Sequence, residues 1–445
     1  MKIHTIGGFS EIGKNMTAVE IGEDVFIFDC GLYLPAVVEI VEQDVKESEK
    51  KMRHIGAIPD DTILDKLNLN NKVRAIFISH AHLDHVGAIP YLAARYKAPI
   101  YATPFTAAVL ETIMADENQK IPNKLNIIQP NSSFTVKGKS INYKVDFINI
   151  THSTLQTVMI ALHTKEGIVL YANDFKFDNT PILGLPPNYK MLKQARQAGV
   201  KALIVDSLYA DENRKTPSEQ IARGLLEDVM MTTYNKKSLV IVTTFSSHIA
   251  RLKSIVDFGI KLRRRIIFLG RSLNKYVNAA IKIKSCPFSK QIQLFKYRNQ
   301  VNSILKQINK NREKYMVVCT GHQGEEGSIL DRLAKNQTPL ELKPQDHIIF
   351  SSKTIPTEIN MVNRAALEKR LRHHDVRIFD SAHVSGHAGR EDLRDFISLT
   401  NPKHIFPAHV NFPKQSALAE LATEMGYKLG KSVHMTEDGM ATDIN

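Results

Sequence analysis

The chain has 445 residues, with Lys+Arg 59 against Asp+Glu 46, a formal net charge of +13 and a sequence pI near 9.4. That length sets a prior of two or three domains with ample core, and 43% hydrophobic with 24% charged residues is the composition of an ordinary soluble protein. No stretch approaches the ~18 unbroken apolar residues of a membrane span. The first eight residues lack the apolar core of a signal peptide, and three cysteines without a CxxC pair argue against a disulfide framework or a cysteine-rich zinc site. A cytoplasmic protein is expected. Its basic balance suits a polyanionic partner, because cationic side chains displace counterions from a phosphate backbone.

Short strands are expected at residues 2–6, 16–21 and 25–29, with Gly7, Gly8 and Gly13 at the turns. The third ends on Asp29, a carboxylate that either forms a turn or orients a metal-bound histidine from behind. Residues 32–72 lack clean periodicity and read as an extended insertion or lid. A buried strand at 73–78 then runs into Ser79-His80-Ala81-His82-Leu83-Asp84-His85. In an extended segment His80 and His82 point to the same side, so both can face one ion. Asp84 and His85 sit on the bend into the next helix and face a second position. Imidazole nitrogen suits zinc and also manganese or iron, and carboxylate oxygen suits a hard divalent cation.

A helix at 88–96, a strand at 99–101 and a helix at 105–115 follow. His152 ends a strand at 145–150, Asp174 ends one at 167–172, and Asp206 ends a buried strand at 200–205. From Thr216 strands and helices alternate regularly, the pattern of a parallel sheet covered by helices. Its strand exits, at 244–247, 270–272, 320–322 and 351–353, are rich in hydroxyls and glycine. Parallel sheets bind ligands at that end, so a phosphate-binding face is expected there, although αβ turns alone favour the same residues. Arg263-Arg264-Arg265 is either part of a basic surface or a solvated strand flank. The tail carries a helix at 358–373, a strand at 376–380, Ala382 to Gly389, a helix at 390–399, and His409 after a strand at 404–406. No internal repeat or low-complexity tract is found.

His80, His82, Asp84, His85, His152, Asp174 and His409 all lie at strand ends, too many ligands for one ion and right for two. His80, His82 and His152 are assigned to one metal, Asp84, His85 and His409 to the other, and Asp174 to both. Two ions ~3.5–4 Å apart can share a hydroxide and clamp the attacking and leaving oxygens of a phosphoryl displacement.

The Ser79–His85 run, with His152 and Asp174, resembles the metallo-β-lactamase signature. The inserted α/β block, with Asp206 before it and His387 and His409 after it, resembles the β-CASP nucleases. Within these the chain is most similar to ribonuclease J of the archaeal type, and the likeness covers nearly the whole chain. It is carried by Ile6-Gly7-Gly8-Phe9-Ser10-Glu11-Ile12-Gly13-Lys14-Asn15-Met16, Asp29-Cys30-Gly31, Thr320-Gly321-His322-Gln323-Gly324-Glu325 and His383-Val384-Ser385-Gly386-His387. The resemblance implies an α/β fold: a four-layer αβ/βα metal domain (1–210 and 354–445) interrupted by a parallel-sheet β-CASP domain (211–353), with RNA entering between them. It implies two divalent ions, zinc expected and manganese the alternative. It also implies a 5′→3′ exoribonuclease that prefers 5′-monophosphorylated single-stranded RNA and serves RNA decay and processing. Hydrolysis of this kind needs no 2′-OH, so single-stranded DNA is an expected second substrate. An endonuclease of the cleavage-and-polyadenylation type and a silent RNA-binding scaffold are the alternatives.

The same resemblance assigns catalytic roles to His387, Asp206 and Asp84, with Asp206 hydrogen-bonding His387 beside the scissile phosphate. It places Ser246, Ser247, His248, Val384, Ser385 and Gly386 against substrate phosphates; His383 either joins them or packs at a strand end. Most of the remaining histidines are read as structural, and Thr320–Glu325 either contacts substrate or forms a tight glycine turn. His409 stands in Pro407-Ala408-His409-Val410-Asn411, where the family usually has His-Gly-Glu. No C-terminal domain of the bacterial type is expected, so a homodimer would use another surface.

Overall fold

The computed structural model describes residues 1–37, 48–116, 120–380 and 382–444. Three sheets organise it. The first runs β19 (Met440–Asp443), β1 (Lys2–Gly7), β2 (Met16–Ile21), β3 (Asp24–Phe28), β4 (Val73–Phe77), β5 (Ile100–Ala102), β6 (Leu125–Ile127). The second runs β18 (His404–Ala408), β11 (Val200–Asp206), β10 (Gly167–Ala172), β9 (Val158–Thr164), β8 (Asn142–Asn149), β7 (Ser132–Lys137). These two face each other across a layer rich in aromatic rings. Phe77 lies 5.4 Å from Phe28, 5.6 Å from Tyr101 and 6.2 Å from Phe134, ring centre to ring centre. Tyr171, Ile204 and Phe406 fill the same layer from the second sheet. Helices Leu83–Val86, Ile89–Leu92 and Pro104–Asp116 cover the outer face of the first sheet, and Tyr189–Ala198, Arg390–Thr400 and Phe412–Glu424 cover that of the second. Helix, sheet, sheet, helix is the resulting layering.

The third sheet is wholly parallel, in the order β14 (Ile292–Phe295), β13 (Arg265–Leu269), β15 (Tyr315–Cys319), β12 (Val240–Thr243), β16 (His347–Phe350), β17 (Arg377–Phe379). Its central strands are buried along their whole length, which is why they read as unbroken apolar runs. The sequence reading closed this unit at residue 353. Strand β17 instead pairs with β16, and helix Glu358–Arg372 buries Leu367 and Leu371 against this sheet, so the unit runs to about residue 380. A helix and a three-residue strand continue the insert's own βα alternation, which a cut based on the metal motif splits.

One further expectation changes. Residues 32–72 form no extended lid where they are described; 38–47 lie outside the described residues. Helices Glu49–His54 and Thr62–Lys66 bury Met52 and Leu64 in the core, and Asp61 there receives Arg53, Arg95 and the Tyr96 hydroxyl. The polar C-terminal segment is strand β19, paired antiparallel with β1 from Lys2↔Asp443 to Thr5↔Met440. It lies at an exposed edge and shows no apolar alternation, so backbone pairing alone defines it. Phe77→Ala is expected to destabilise the chain by ~3–5 kcal/mol through the cavity left between the facing sheets, read by circular dichroism in urea.

Candidate active site

Polar residues at the carboxyl ends of five strands converge: β4 delivers His80 to His85, β8 delivers His152, β10 Asp174, β11 Asp206 and β18 His409. Two groups of ligand atoms form, each with all members within 4.8 Å of one another: His80, His82, His152 and Asp174, and Asp84, His85, Asp174 and His409. Asp174 belongs to both, and also to a third group with Asp206 and His387. Its Oδ2 lies 3.5 Å from His80 Nε2, 3.5 Å from His152 Nε2 and 3.3 Å from His85 Nε2, and its Oδ1 lies 3.7 Å from His409 Nδ1. Asp174 and His409 both adopt left-handed backbone (φ 54° and 63°), which turns each strand end sharply into the site.

The hydrogen bonds behind these rings fix what they present. His152 Nδ1 donates to the Gly386 carbonyl at 2.7 Å and so directs a bare Nε2 lone pair at the Asp174 carboxylate. His85 Nδ1 lies 2.7 Å from Asp29 Oδ2; burial disfavours its charge, but Asp174, Asp84 and Asp29 outweigh that and hold its pKa well above the usual imidazole value. Acceptors facing an acceptor repel unless a cation lies among them, and Asp174 Oδ1 is buried with no hydrogen-bond partner. The donor set fits a divalent metal. Burial drives the pKa of His80 and His152 well below the usual imidazole value, and that of His82 to about 4, leaving them neutral ligands. Burial pushes the other way on Asp174, but His409, His85 and His387 hold its carboxyl well below the usual range.

Asp29 lies directly behind His85. Its carboxylate, also on left-handed backbone (φ 59°), takes the Ser79 amide at 2.7 Å, the Ser79 hydroxyl at 2.8 Å, the Tyr171 hydroxyl at 2.9 Å and the His85 ring. Sequence reading missed Asn15 in this role. Its amide nitrogen lies 2.9 Å from His409 Nδ1 and 3.1 Å from His85 Nε2, and its oxygen takes a bond from Asn173 at 2.9 Å. The only signal was its place in the Ile6–Met16 run.

Beside the shared carboxylate, His387 Nδ1 lies 2.8 Å from Asp206 Oδ2, and its ring meets those of His152 (4.9 Å) and His409 (5.6 Å). Burial disfavours its charge, but Asp206 and then Asp174 outweigh that and hold its pKa up to about 9, so the ring is cationic at neutral pH. His82, Asp84, Asp174, His387 and His409 line one cleft of about 260 Å³, together with Ser246, Ser247, His248, Thr320, His322 and Lys353 from the insert, and with His383, Val384, Ser385 and Gly386. Ser247 Oγ reaches His82 Nε2 at 3.0 Å.

Some candidates are spent elsewhere. His248 lines the cleft, yet its Nδ1 accepts the Arg251 amide and its Nε2 faces Glu219 at 3.3 Å, leaving no ring nitrogen for a ligand. Of the hydroxyls at the strand exits, Thr244 bonds the Ser351 carbonyl and Ser351 the Ala382 carbonyl, both within the protein. Arg264 is buried and bonds carbonyls of Asn235, Ser238 and Tyr315, so Arg263-Arg264-Arg265 is no continuous basic surface. Of the Thr320–Glu325 segment, His322 lines the cleft beside Phe245, and neither of its ring nitrogens has a hydrogen-bond partner.

Gly31 carries the tightest approach in the site: a Cβ on it would stand 1.7 Å from the Asp84 carbonyl oxygen and 2.8 Å from the His85 amide. Gly31→Ala must push the Asp84-His85 turn away from Asp174 and is expected to cost ~1–3 kcal/mol. It should also lower bound divalent metal, read by elemental mass spectrometry, with far-UV circular dichroism retained.

The chain is similar to known proteins along nearly its whole length. Residues 11–210 match the metallo-beta-lactamase superfamily, 237–368 the beta-CASP domain of ribonuclease J, and 375–435 the Zn-dependent metallo-hydrolase RNA specificity domain. The chain is 40% identical over 442 residues to ribonuclease J of Methanocaldococcus jannaschii, covering 99% of this chain and 98% of that one. It is 42% identical over 449 residues to ribonuclease J of Pyrococcus abyssi, covering 100% and 97%. Against ribonuclease J of Helicobacter pylori it is 29% identical over 452 residues and spans 61% of that protein. A crystal structure of a protein of unknown function from Enterococcus faecalis V583 shares the fold, with a TM-score of 0.63 at 15% identity over 99% of both chains. Near-complete coverage at such identity, with three family models in chain order, means that the chain belongs to the ribonuclease J family, within the β-CASP group of the metallo-β-lactamase superfamily.

Proposed function

We propose that the chain is a two-metal 5′→3′ exoribonuclease that prefers single-stranded RNA with a 5′-monophosphate and acts in RNA decay and processing. The observation that carries this reading is Asp174, common to two ligand groups and to the Asp206–His387 pair, at the floor of a cleft whose walls come from both halves of the molecule. Two divalent ions held by His80, His82 and His152, and by Asp84, His85 and His409, with Asp174 serving both, would supply a nucleophilic water at neutral pH and neutralise the phosphate. Five imidazoles among the seven ligands favour zinc over manganese. The full-length relatives named as ribonuclease J support RNA as the substrate.

The chain's own residues do the rest. Asp29 and the Gly386 carbonyl hold His85 and His152 in one tautomer, so their lone pairs stay on the phosphate-facing side. His387, kept cationic by Asp206, steadies negative charge on the scissile phosphate or gives a proton to the leaving oxygen. Ser247, Ser385 and His383 offer donors to the phosphates of the bound strand. Hydrolysis of this kind needs no 2′-OH.

With 5′-labelled RNA, labelled mononucleotide is expected as the first product, faster from a 5′-monophosphate than a 5′-triphosphate. Internal fragments appearing first would replace this reading with an endonuclease, and binding without cleavage with a scaffold. His82→Ala should lower the rate by more than about a hundredfold, beyond the loss typical of residues behind the ligands. Asp206→Asn should lower kcat by ~10²–10⁴ while RNA binding persists; an unchanged kcat would remove His387 from the chemistry. Single-stranded DNA of the same sequence should also be degraded, and its survival at enzyme levels that consume the RNA would show that a 2′-OH is required.

A further inference from the structure

Arg251 is the largest side chain that is fully buried, at 0% exposure, in the first turn of helix Ile249–Lys261 of the insert. Its guanidinium grips both Glu219 oxygens, through Nε and, at 2.8 Å, through Nη2. The remaining donors reach Ser351 within the insert and residues 382–384 beyond it. Nη1, which carries two hydrogens, lies within hydrogen-bond distance of the Ser351 carbonyl (2.8 Å), the Ser351 hydroxyl (3.0 Å), the Ala382 carbonyl (3.4 Å) and His383 Nδ1 (3.3 Å), and Nη2 gives a further bond to the Val384 carbonyl (3.4 Å). Glu219 in turn is fixed to the metal domain, its amide donating to Asp178 at 2.7 Å, four residues beyond Asp174. One buried ion pair therefore joins the loop after Asp174 to the loop that carries His383 and His387.

The pairing with His383 has a chemical consequence. A guanidinium can only donate, so the nitrogen facing it must be the bare one. His383 Nδ1 is then the acceptor, and the ring's single proton sits on Nε2, on a residue that lines the cleft. Burial, Arg251 and His248 push the pKa of His383 down to about 2, so this donor stays neutral. A neutral N–H can bond a phosphate oxygen without competing for the metal ligands' carboxylates.

We propose that Arg251 is a positioning residue for recognition of the substrate's 5′-phosphate: it locks His383 in the Nε2–H tautomer and pins residues 382–384 so that this donor faces the phosphate. The inference rests on the proposed 5′-monophosphate-dependent exoribonuclease function and adds the group that sets its end selectivity. The ion pair is suited to the task because a buried bidentate Arg–carboxylate pair allows one geometry.

The test uses the metal-loaded full chain. Removing Arg251 alone would strand the Glu219 charge, so the informative variant is Arg251→Met combined with Glu219→Gln. Three substrates are compared: RNA with a 5′-monophosphate, the same RNA with a 5′-hydroxyl, and bis(p-nitrophenyl) phosphate, which has no 5′ end. The monophosphate-to-hydroxyl ratio of kcat/KM should fall roughly tenfold or more, as for loss of a hydrogen bond to a charged group, through KM, with the small diester hydrolysed at the parent rate. An unchanged ratio overturns the proposal, and so does a parallel loss on all three substrates, which is what a purely structural role predicts. Histidine ¹⁵N NMR, with the His383 signal assigned by its loss in His383→Phe, should show the Nε2–H tautomer in the parent chain. An Nδ1–H ring overturns the proposal without reference to activity. An Nε2–H ring in a parent enzyme indifferent to the 5′ end overturns the proposed end selectivity, and with it the role of His383 as a 5′-phosphate donor, but not the lock on its tautomer.

Discussion

The rest of the structure depends on one carboxylate withdrawn from water. Asp174 is about 1% exposed, and a buried negative charge is costly unless cations or hydrogen-bond donors answer it. The answer comes from rings on other strands: His80, His85, His152 and His409 approach its two oxygens, and His387 stands behind them. None of these residues is near Asp174 in sequence, so the site exists only when the two facing sheets are assembled. The aromatic layer between the sheets is what holds the strand ends at that separation. The left-handed turns at Asp29, Asp174 and His409, each of order 1–3 kcal/mol, are sustained by the same packing.

Around that carboxylate the structure separates three tasks. Asp29, Asn15 and the Gly386 carbonyl orient the imidazoles from behind. Asp206 keeps His387 charged. The insert supplies the opposite wall of the cleft and touches the ligand set directly, through Ser247 on His82 and the Tyr276 hydroxyl on the Ala81 carbonyl. An apolar cluster runs without a break from the helices covering the first sheet into one face of the insert, where helix Arg271–Lys282 lies on helix Pro104–Asp116. The cleft is therefore framed by packed elements, a condition for holding reacting groups in fixed geometry. Surface pairs such as Lys282 with Glu111 and Lys296 with Asp116 also cross this contact but contribute little beside it.

Much of this was legible in the residues. Apolar runs ending in a histidine or an aspartate marked the strands that feed the site, because a buried strand and the polar group at its end differ sharply in hydropathy. The α/β alternation of the insert was visible for the same reason. What could not be read were features without a local signature. Strand β19 is polar and exposed and is defined only by its pairing with β1. Helices 49–54 and 62–66 are too short to show a period. His248, taken as a phosphate contact, is turned onto Glu219 by a charge located 29 residues earlier. Arg251 looked like any arginine on an amphipathic helix, since nothing adjacent to it reports that its partners are Glu219, Ser351 and His383.

The sequence by itself determined the donor types and their grouping in the chain: five imidazoles and two carboxylates at strand ends. It could do so because ligand chemistry belongs to side chains and strand ends are set by local hydropathy. Only the tertiary structure decided which of those atoms meet, that Asp174 lies within reach of all three groups, and where the insert sheet ends. Those outcomes depend on contacts between residues far apart in the chain, such as Asn15 and His409, 394 positions apart, and on backbone pairing that carries no side-chain signal.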